Sequence, residues 1–246
     1  TAWDGESMDE PVQKDGVYQI STGEELAWFA AQVNNGTGKN YDAVLTDDIN
    51  LGENLWQPIG TTSCNYAGTF DGAEHKITGL KVEKDSNYAG LFGYIKGTSS
   101  KHAVIENLTI EGDVSSSYGF VGGILGYGDY VDIVNCHNYA NVTLTATAYK
   151  YYVGGIVGEV EDGSVENCSN YGTISGSQAE KIGGITGYNY YAVVSSCYNA
   201  GEVSGKQNVG GVIGHANGKV SDIYNTGTVT GTSGNVGGLV AYAAAD

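Results

Sequence analysis

The sequence predicts an all-β chain folded as a parallel β-helix (β-solenoid) with a short N-terminal capping helix. Three observations point there. A glycine phrase recurs as Val121-Gly122-Gly123-Ile124-Leu125-Gly126-Tyr127, Val153-Gly154-Gly155-Ile156-Val157-Gly158, Ile182-Gly183-Gly184-Ile185-Thr186-Gly187-Tyr188 and Val209-Gly210-Gly211-Val212-Ile213-Gly214. A degenerate copy, Ala89-Gly90-Leu91-Phe92-Gly93-Tyr94, precedes these, and a shortened one, Val236-Gly237-Gly238-Leu239-Val240-Ala241-Tyr242, follows. The spacing of the second Gly is 32 residues (123 to 155), then 29 (155 to 184), then 27 twice (184 to 211, 211 to 238). That length suits one coil of about three short strands. Composition agrees, with 39 Gly, 19 Tyr, 2 Pro and 1 Met, a turn-rich β usage.

The elements follow in chain order. Ser21-Thr22-Gly23-Glu24-Glu25 offers a capping hydroxyl followed by Glu, and Leu26, Phe29, Ala30 and Val33 fall on one helical face, so a helix spans about 22–34. Residues 1–60 are read as a cap that carries this helix and the first strands; 61–246 are read as the repeats, continuous with it as one domain. Ala43 to Leu51 forms a strand. About seven coils are expected.

Each glycine phrase leads to a second phrase, as in Val165-Glu166-Asn167-Cys168-Ser169-Asn170-Tyr171-Gly172-Thr173-Ile174. Aligned by it, Ile105, Ile133, Val165, Val194 and Val220 form one apolar column. Leu108, Cys136, Cys168, Cys197 and Ile223 form a second, and Val114, Val142, Ile174, Val203 and Val229 a third. A position that accepts Leu, Ile and Cys is buried. Cys136, Cys168 and Cys197 then stack at strand spacing, too far apart for a disulfide, and are expected as free thiols. Asn138, Asn170, Asn199 and Asn225 are expected to stack as an amide ladder at a turn, where Asn tolerates left-handed backbone.

These phrases resemble the GLUG-motif repeat. The earlier segments (ISTGEELAWFA, LTDDINL, WQPIG, YAGTFDG) resemble the region that precedes such repeats in bacterial surface proteins. The resemblance covers nearly the whole chain. It implies a right-handed parallel β-helix in a secreted or wall-attached bacterial protein, extracellular or on the cell surface. Similar repeats accompany IgA-cleaving zinc peptidases, and the family defines no single activity.

Charge narrows the function classes. Asp plus Glu is 28 against 11 basic residues, all Lys, for a net charge of −17. Nucleic-acid binding needs a basic footprint and is excluded. The chain has no apolar run long enough for a transmembrane segment. It begins on Thr1 and its last repeat lacks the second phrase, so it is read as part of a longer chain from which a leader has been removed.

Catalytic patterns are sparse. His75, His102, His137 and His215 form no H-E-x-x-H zinc site. Asp47-Asp48 are adjacent and point to opposite faces of a strand. The chain is therefore expected to be no enzyme. No cofactor is expected, though the acidic loops at 128–132 and 159–163 offer a weak surface calcium site. Tyr94, Tyr127, Glu159, Tyr188, His215 and Tyr242 fall in one column, readable as a sugar platform or as a ladder that covers a turn. The longest insertion, Thr143 to Tyr152, holds Tyr149, Tyr151 and Tyr152 and reads as a projecting edge loop. The candidate ligand-binding residues are thus Tyr149, Tyr151, Tyr152, Tyr127 and Tyr188. The function expected is a non-catalytic surface module of scaffold or adhesion type that takes a glycan or a host protein as partner. The alternatives are a polysaccharide-degrading β-helix enzyme and an accessory repeat region of a secreted peptidase.

Overall fold

The computed structural model describes residues 1–148 and 150–244 and is a parallel β-helix. Its strands fall into three sheets, with 18, 6 and 5 strands among the described residues. One coil runs from Val121–Gly122 in the five-stranded sheet to Leu125–Asp129 in the six-stranded sheet. It turns through Tyr130, enters the long sheet as Val131–Asn138 and Asn141–Leu144, and starts the next coil at Lys150–Gly154. On the long sheet Val17–Ile20, Asp42–Leu45, Thr69–Asp71, Ala103–Ser116, Val131–Asn138, Gly163–Glu166, Val193–Ser195 and Val220–Ser221 stack in parallel register. These make eight rungs where about seven were expected. The difference lies at the N-terminal end, where Val17–Ile20 and Asp42–Leu45 are already rungs in register with the repeats.

The helix, α1 (Gly23–Asn34), forms as its sequence dictates. The Thr22 hydroxyl accepts from the Glu25 N–H at 3.2 Å, and the Glu25 carboxylate accepts from the Ser21 N–H at 2.6 Å. Leu26, Phe29, Ala30 and Val33 are buried on its inner face. Phe29 meets Tyr66 and Phe70, which in turn contact Phe92, so the first coils are filled by rings. Val12–Lys14 pairs antiparallel with Val17–Ile20 and covers the first rung's open edge.

Inside the repeats the apolar columns pair as spaced, Ile105 with Ile133, Ile133 with Val165, Val165 with Val194 and Val194 with Val220. Cys136, Cys168 and Cys197 are buried and free, each thiol directed at a carbonyl of the preceding coil. Burial pushes the Cys168 thiol up.

The two phrases recur together because they touch. A methyl on Gly154, Gly183 or Gly210 would overlap the carbonyl oxygen of Val157, Thr186 or Ile213 in its own coil. A methyl on Gly155, Gly184 or Gly211 would overlap the next coil's glycine carbonyl and also Asn170, Asn199 or Asn225. The second glycine is the space that the Asn side chain needs. Each ladder Asn donates to the next coil's Asn: Asn138 to Asn170 at 2.8 Å, Asn170 to Asn199 at 2.7 Å and Asn199 to Asn225 at 2.8 Å. Each also closes a loop on its own backbone, as Asn170 does with Gly172 O and Gly172 N. The left-handed backbone expected at this ladder sits three residues earlier, at Asn107, Asn135, Asn167, Ser196 and Asp222 (φ 51 to 54°). Those residues make the turn, whereas Asn138, Asn170 and Asn199 are extended and fully buried.

Candidate functional site

Where the five- and six-stranded sheets meet, three outward columns lie side by side. The column before the glycine phrase is Tyr88, Phe120, Tyr152, Lys181, Asn208 and Asn235. The column after it is Tyr94, Tyr127, Glu159, Tyr188, His215 and Tyr242. Beside that run Lys96, Asp129, Glu161, Tyr190 and Asn217, because alternate strand residues share a face.

The rings of the first two columns mesh into one band. Tyr94 stacks on Tyr127 at 4.8 Å, Tyr88 on Phe120 at 5.1 Å and Phe120 on Tyr151 at 5.2 Å. Phe120 also meets Tyr127 and Tyr152, and Tyr152 meets Tyr188 at 5.4 Å. His215 continues the band between Tyr188 and Tyr242, at 4.7 and 4.5 Å. Tyr88 and Phe120 hold left-handed backbone (φ 71 and 55°), a conformation costly for bulky side chains and tolerated where the surroundings require it.

Four of the five tyrosines singled out in the sequence, Tyr127, Tyr151, Tyr152 and Tyr188, therefore belong to one surface. Tyr149 lies outside the described residues. Tyr151 and Tyr152 were expected on a projecting loop. They stand instead in the strand Lys150–Gly154, paired in parallel with Ala179–Gly183. The inserted residues precede that strand, and ring packing against Phe120 holds the tyrosines to the body of the solenoid.

Glu159 takes a ring's place in its column. It is only 8% exposed. Burial, then the Glu161 carboxylate, pushes its pKa up to about 7, against a smaller opposing pull from Lys181. The Lys181 ammonium lies 4.4 and 4.5 Å from the ring centres of Tyr152 and Tyr188 and 3.6 Å from Glu180. On the neighbouring column Lys96 pairs with Asp129 at 2.9 Å. Burial, then Lys181, pulls His215 down to about 4, so the imidazole is neutral at pH 7.

A pH dependence follows from Glu159. Between its ordinary 4.5 and the folded value near 7, the folded protein keeps a proton that the unfolded chain releases. Stability therefore falls as pH rises through that window, by up to about 3 kcal/mol. His215 works oppositely, costing stability as pH falls from 6.5 towards 4. The Glu159→Gln variant should lack the first effect alone. Its stability advantage over the parent chain in urea titrations should grow from pH 4.5 to pH 8. A constant difference would show that Glu159 titrates normally.

In the acidic loop at 128–132 both carboxylates have partners. Asp129 pairs with Lys96, and Asp132 contacts His102 at 3.0 Å and accepts from Ser164 at 3.0 Å. No cluster of three or more metal-ligating side chains occurs among the described residues. Asp48 accepts from the Lys76 N–H and contacts His75, which ties down a turn. No helix among the described residues is long and apolar enough to cross a membrane.

Sequence reasoning missed two things. Tyr88, Phe120 and Lys181 complete the band, yet they lie just upstream of the glycine phrase, in a column that changes from aromatic to Lys and Asn along the chain. A second row of rings stands on the long sheet, with Tyr139 on Tyr171 at 4.4 Å and Tyr198 on Tyr224 at 4.7 Å. Its signal was present in the second phrase but shifts two positions between Tyr171 and Tyr198.

Comparison with known proteins agrees with this architecture. The GLUG motif matches residues 150–175 and 205–230, each holding a glycine phrase and the Asn phrase that packs on it. A relative from Evansella cellulosilytica, provisionally named a Gly-rich membrane protein, is 32% identical over 123 residues, 46% of this chain. The match spans 13% of that relative's length. A crystal structure from Bacteroides ovatus, of a protein provisionally described as an immunoglobulin A1 protease, superposes with a TM-score of 0.58. That superposition covers 94% of this chain and 87% of the other at 17% identity, a likeness of fold. With its glycine and Asn phrases packed against each other in successive coils, the chain is a repeat protein in which two stretches match the GLUG motif.

Proposed function

We propose that this chain is a non-catalytic extracellular repeat module of a bacterial surface protein, and that it holds a glycan on the aromatic band. The observation that carries this reading is the continuity of the band. Rings from successive coils, Tyr151 (41% exposed) and Tyr242 (45% exposed) among them, form one partly exposed surface on a rigid sheet. A purely structural ladder would need rings in one column; here two columns mesh and Tyr151 closes one stack at the surface. The name of the Evansella relative, a membrane protein, supports a place at the cell surface. The name of the Bacteroides neighbour supports a second reading, an accessory region of a secreted peptidase, and the band would then dock the glycans of the substrate.

The test is binding of the chain to an array of glycans, with Tyr151→Ala and Tyr188→Ala variants alongside. At least tenfold weaker binding is expected in each. Tyr151→Ala should change stability by less than about 1 kcal/mol, since the ring is exposed on one side. Saturable binding that both variants retain would remove the band from the mechanism.

A further inference from the structure

Within that reading, the band is not uniform along its length. Its N-terminal half is ring upon ring. Its C-terminal half opens into a shallow, open cleft of about 220 Å³ lined by Glu180, Lys181, Asn208, His215, Asn235 and Tyr242, among others. We infer that this cleft is the subsite that takes a sugar unit, and that the ligand is an uncharged polysaccharide strand lying along the solenoid axis.

Three features lead there. The first is spacing. Parallel strands place one residue of each column every 4.8 Å or so, close to the length of a pyranose unit. A polymer lying along the axis would therefore meet an equivalent position in each coil. The second is the polar complement of the cleft. Asn235 donates to Asn208 Oδ1 at 2.9 Å, and Asn208 donates to Glu180 O at 3.3 Å. These amides are held in place, and each retains hydrogen-bonding capacity for hydroxyls. The Tyr242 ring stands beside them, against His215, with a surface for the apolar face of a sugar.

The third feature is charge. The chain carries a net −17, yet the cleft is close to neutral. Its two fixed charges, Glu180 and Lys181, pair at 3.6 Å, and the rings of Tyr152 and Tyr188 cover the Lys181 ammonium. Further along the band Lys96 is held by Asp129. Among the described residues of the cleft an acidic polymer would find no cation without a partner, and it would meet Glu159 and Glu161 further along the band. An uncharged polymer loses nothing on that surface and gains the amides and the rings.

This inference rests on the band being a glycan site, and the experiment separates the two. Binding of the purified chain is measured against uncharged polymers (mannan, galactan, mixed-linkage glucan) and acidic ones (polygalacturonate, hyaluronan). Asn235→Ala, Tyr242→Ala and Tyr151→Ala variants are measured beside it. Asn235 and Tyr242 are exposed and lie in the last turns of the described chain, so thermal midpoints should stay within a degree or two of the parent. An uncharged polymer should bind, and Asn235→Ala and Tyr242→Ala should each weaken it at least tenfold. Loss in Tyr151→Ala alone would leave the band as the glycan site and overturn the cleft as its subsite. Preference for an acidic polymer would overturn the ligand class. Binding of no polymer would overturn both this inference and the reading beneath it.

Discussion

Gly155→Ala should destabilise the chain by about 3 kcal/mol or more, whereas Gly238→Ala should shift it by less than about 1 kcal/mol. The two residues occupy the same column of the glycine phrase. Neither has left-handed backbone, so conformational freedom does not separate them. A methyl on Gly155 would overlap the Gly184 carbonyl and the Asn170 amide. Both belong to the interior of the stack, and the carbonyl is main chain that can move only if the coil moves. A methyl on Gly238 meets nothing within 4 Å. Alanine there even restricts the unfolded chain slightly, a small gain. Urea titration of the two variants decides the matter. Equal losses would mean that these glycines serve the backbone's conformation and not the packing of coil on coil.

The second large effect belongs to the Asn ladder. Asn170→Ala should cost about 3–5 kcal/mol. The side chain donates to Gly172 O at 2.9 Å and Asn199 Oδ1 at 2.7 Å, and it accepts from Asn138 Nδ2 at 2.8 Å and Gly172 N at 3.3 Å. All four partners are buried, so alanine strands two donors and two acceptors away from water. Asn225→Ala is the control. That residue sits at the end of the ladder, half-buried, and water can replace what it supplies; a loss of about 1 kcal/mol is expected. A loss below 1 kcal/mol for Asn170→Ala would show that the ladder adds little beyond the sheet.

These positions were legible in the sequence because the coil length is nearly constant. Where the period is 27 to 32 residues and each coil contacts its neighbours alone, alignment of the phrases is alignment in space. The pairs Tyr94–Tyr127, Tyr127–Glu159 and Glu159–Tyr188 follow from counting. Helix α1 was legible for a different reason: its cap, acidic first turn and apolar face are local. The band was only half legible. Tyr127 and Tyr188 lie within the phrase, but Tyr88, Phe120 and Lys181 stand one residue before it, and their change of residue type along the column hides that they face the same surface. Glu159 looked like a break in a row of rings. Its burial, and the nearby charges of Glu161 and Lys181, come from neighbouring columns that no one-dimensional pattern encodes. The left-handed column was misassigned for a related reason. Asn serves twice in one phrase, at Asn167 for its backbone and at Asn170 for its side chain, and residue type does not tell the two uses apart.

The amides of Asn138, Asn170 and Asn199 all donate in the same direction, towards the C-terminal end, the last of them to Asn225. Each coil thus arrives with one plug and one socket. A gene segment that encodes a whole coil can be duplicated or lost while every remaining joint is still matched, whereas a segment out of phase leaves a buried plug without a socket. The ladder therefore acts as a proofreader of repeat number over evolutionary time: it lets the module lengthen or shorten in whole coils and penalises fractions of one.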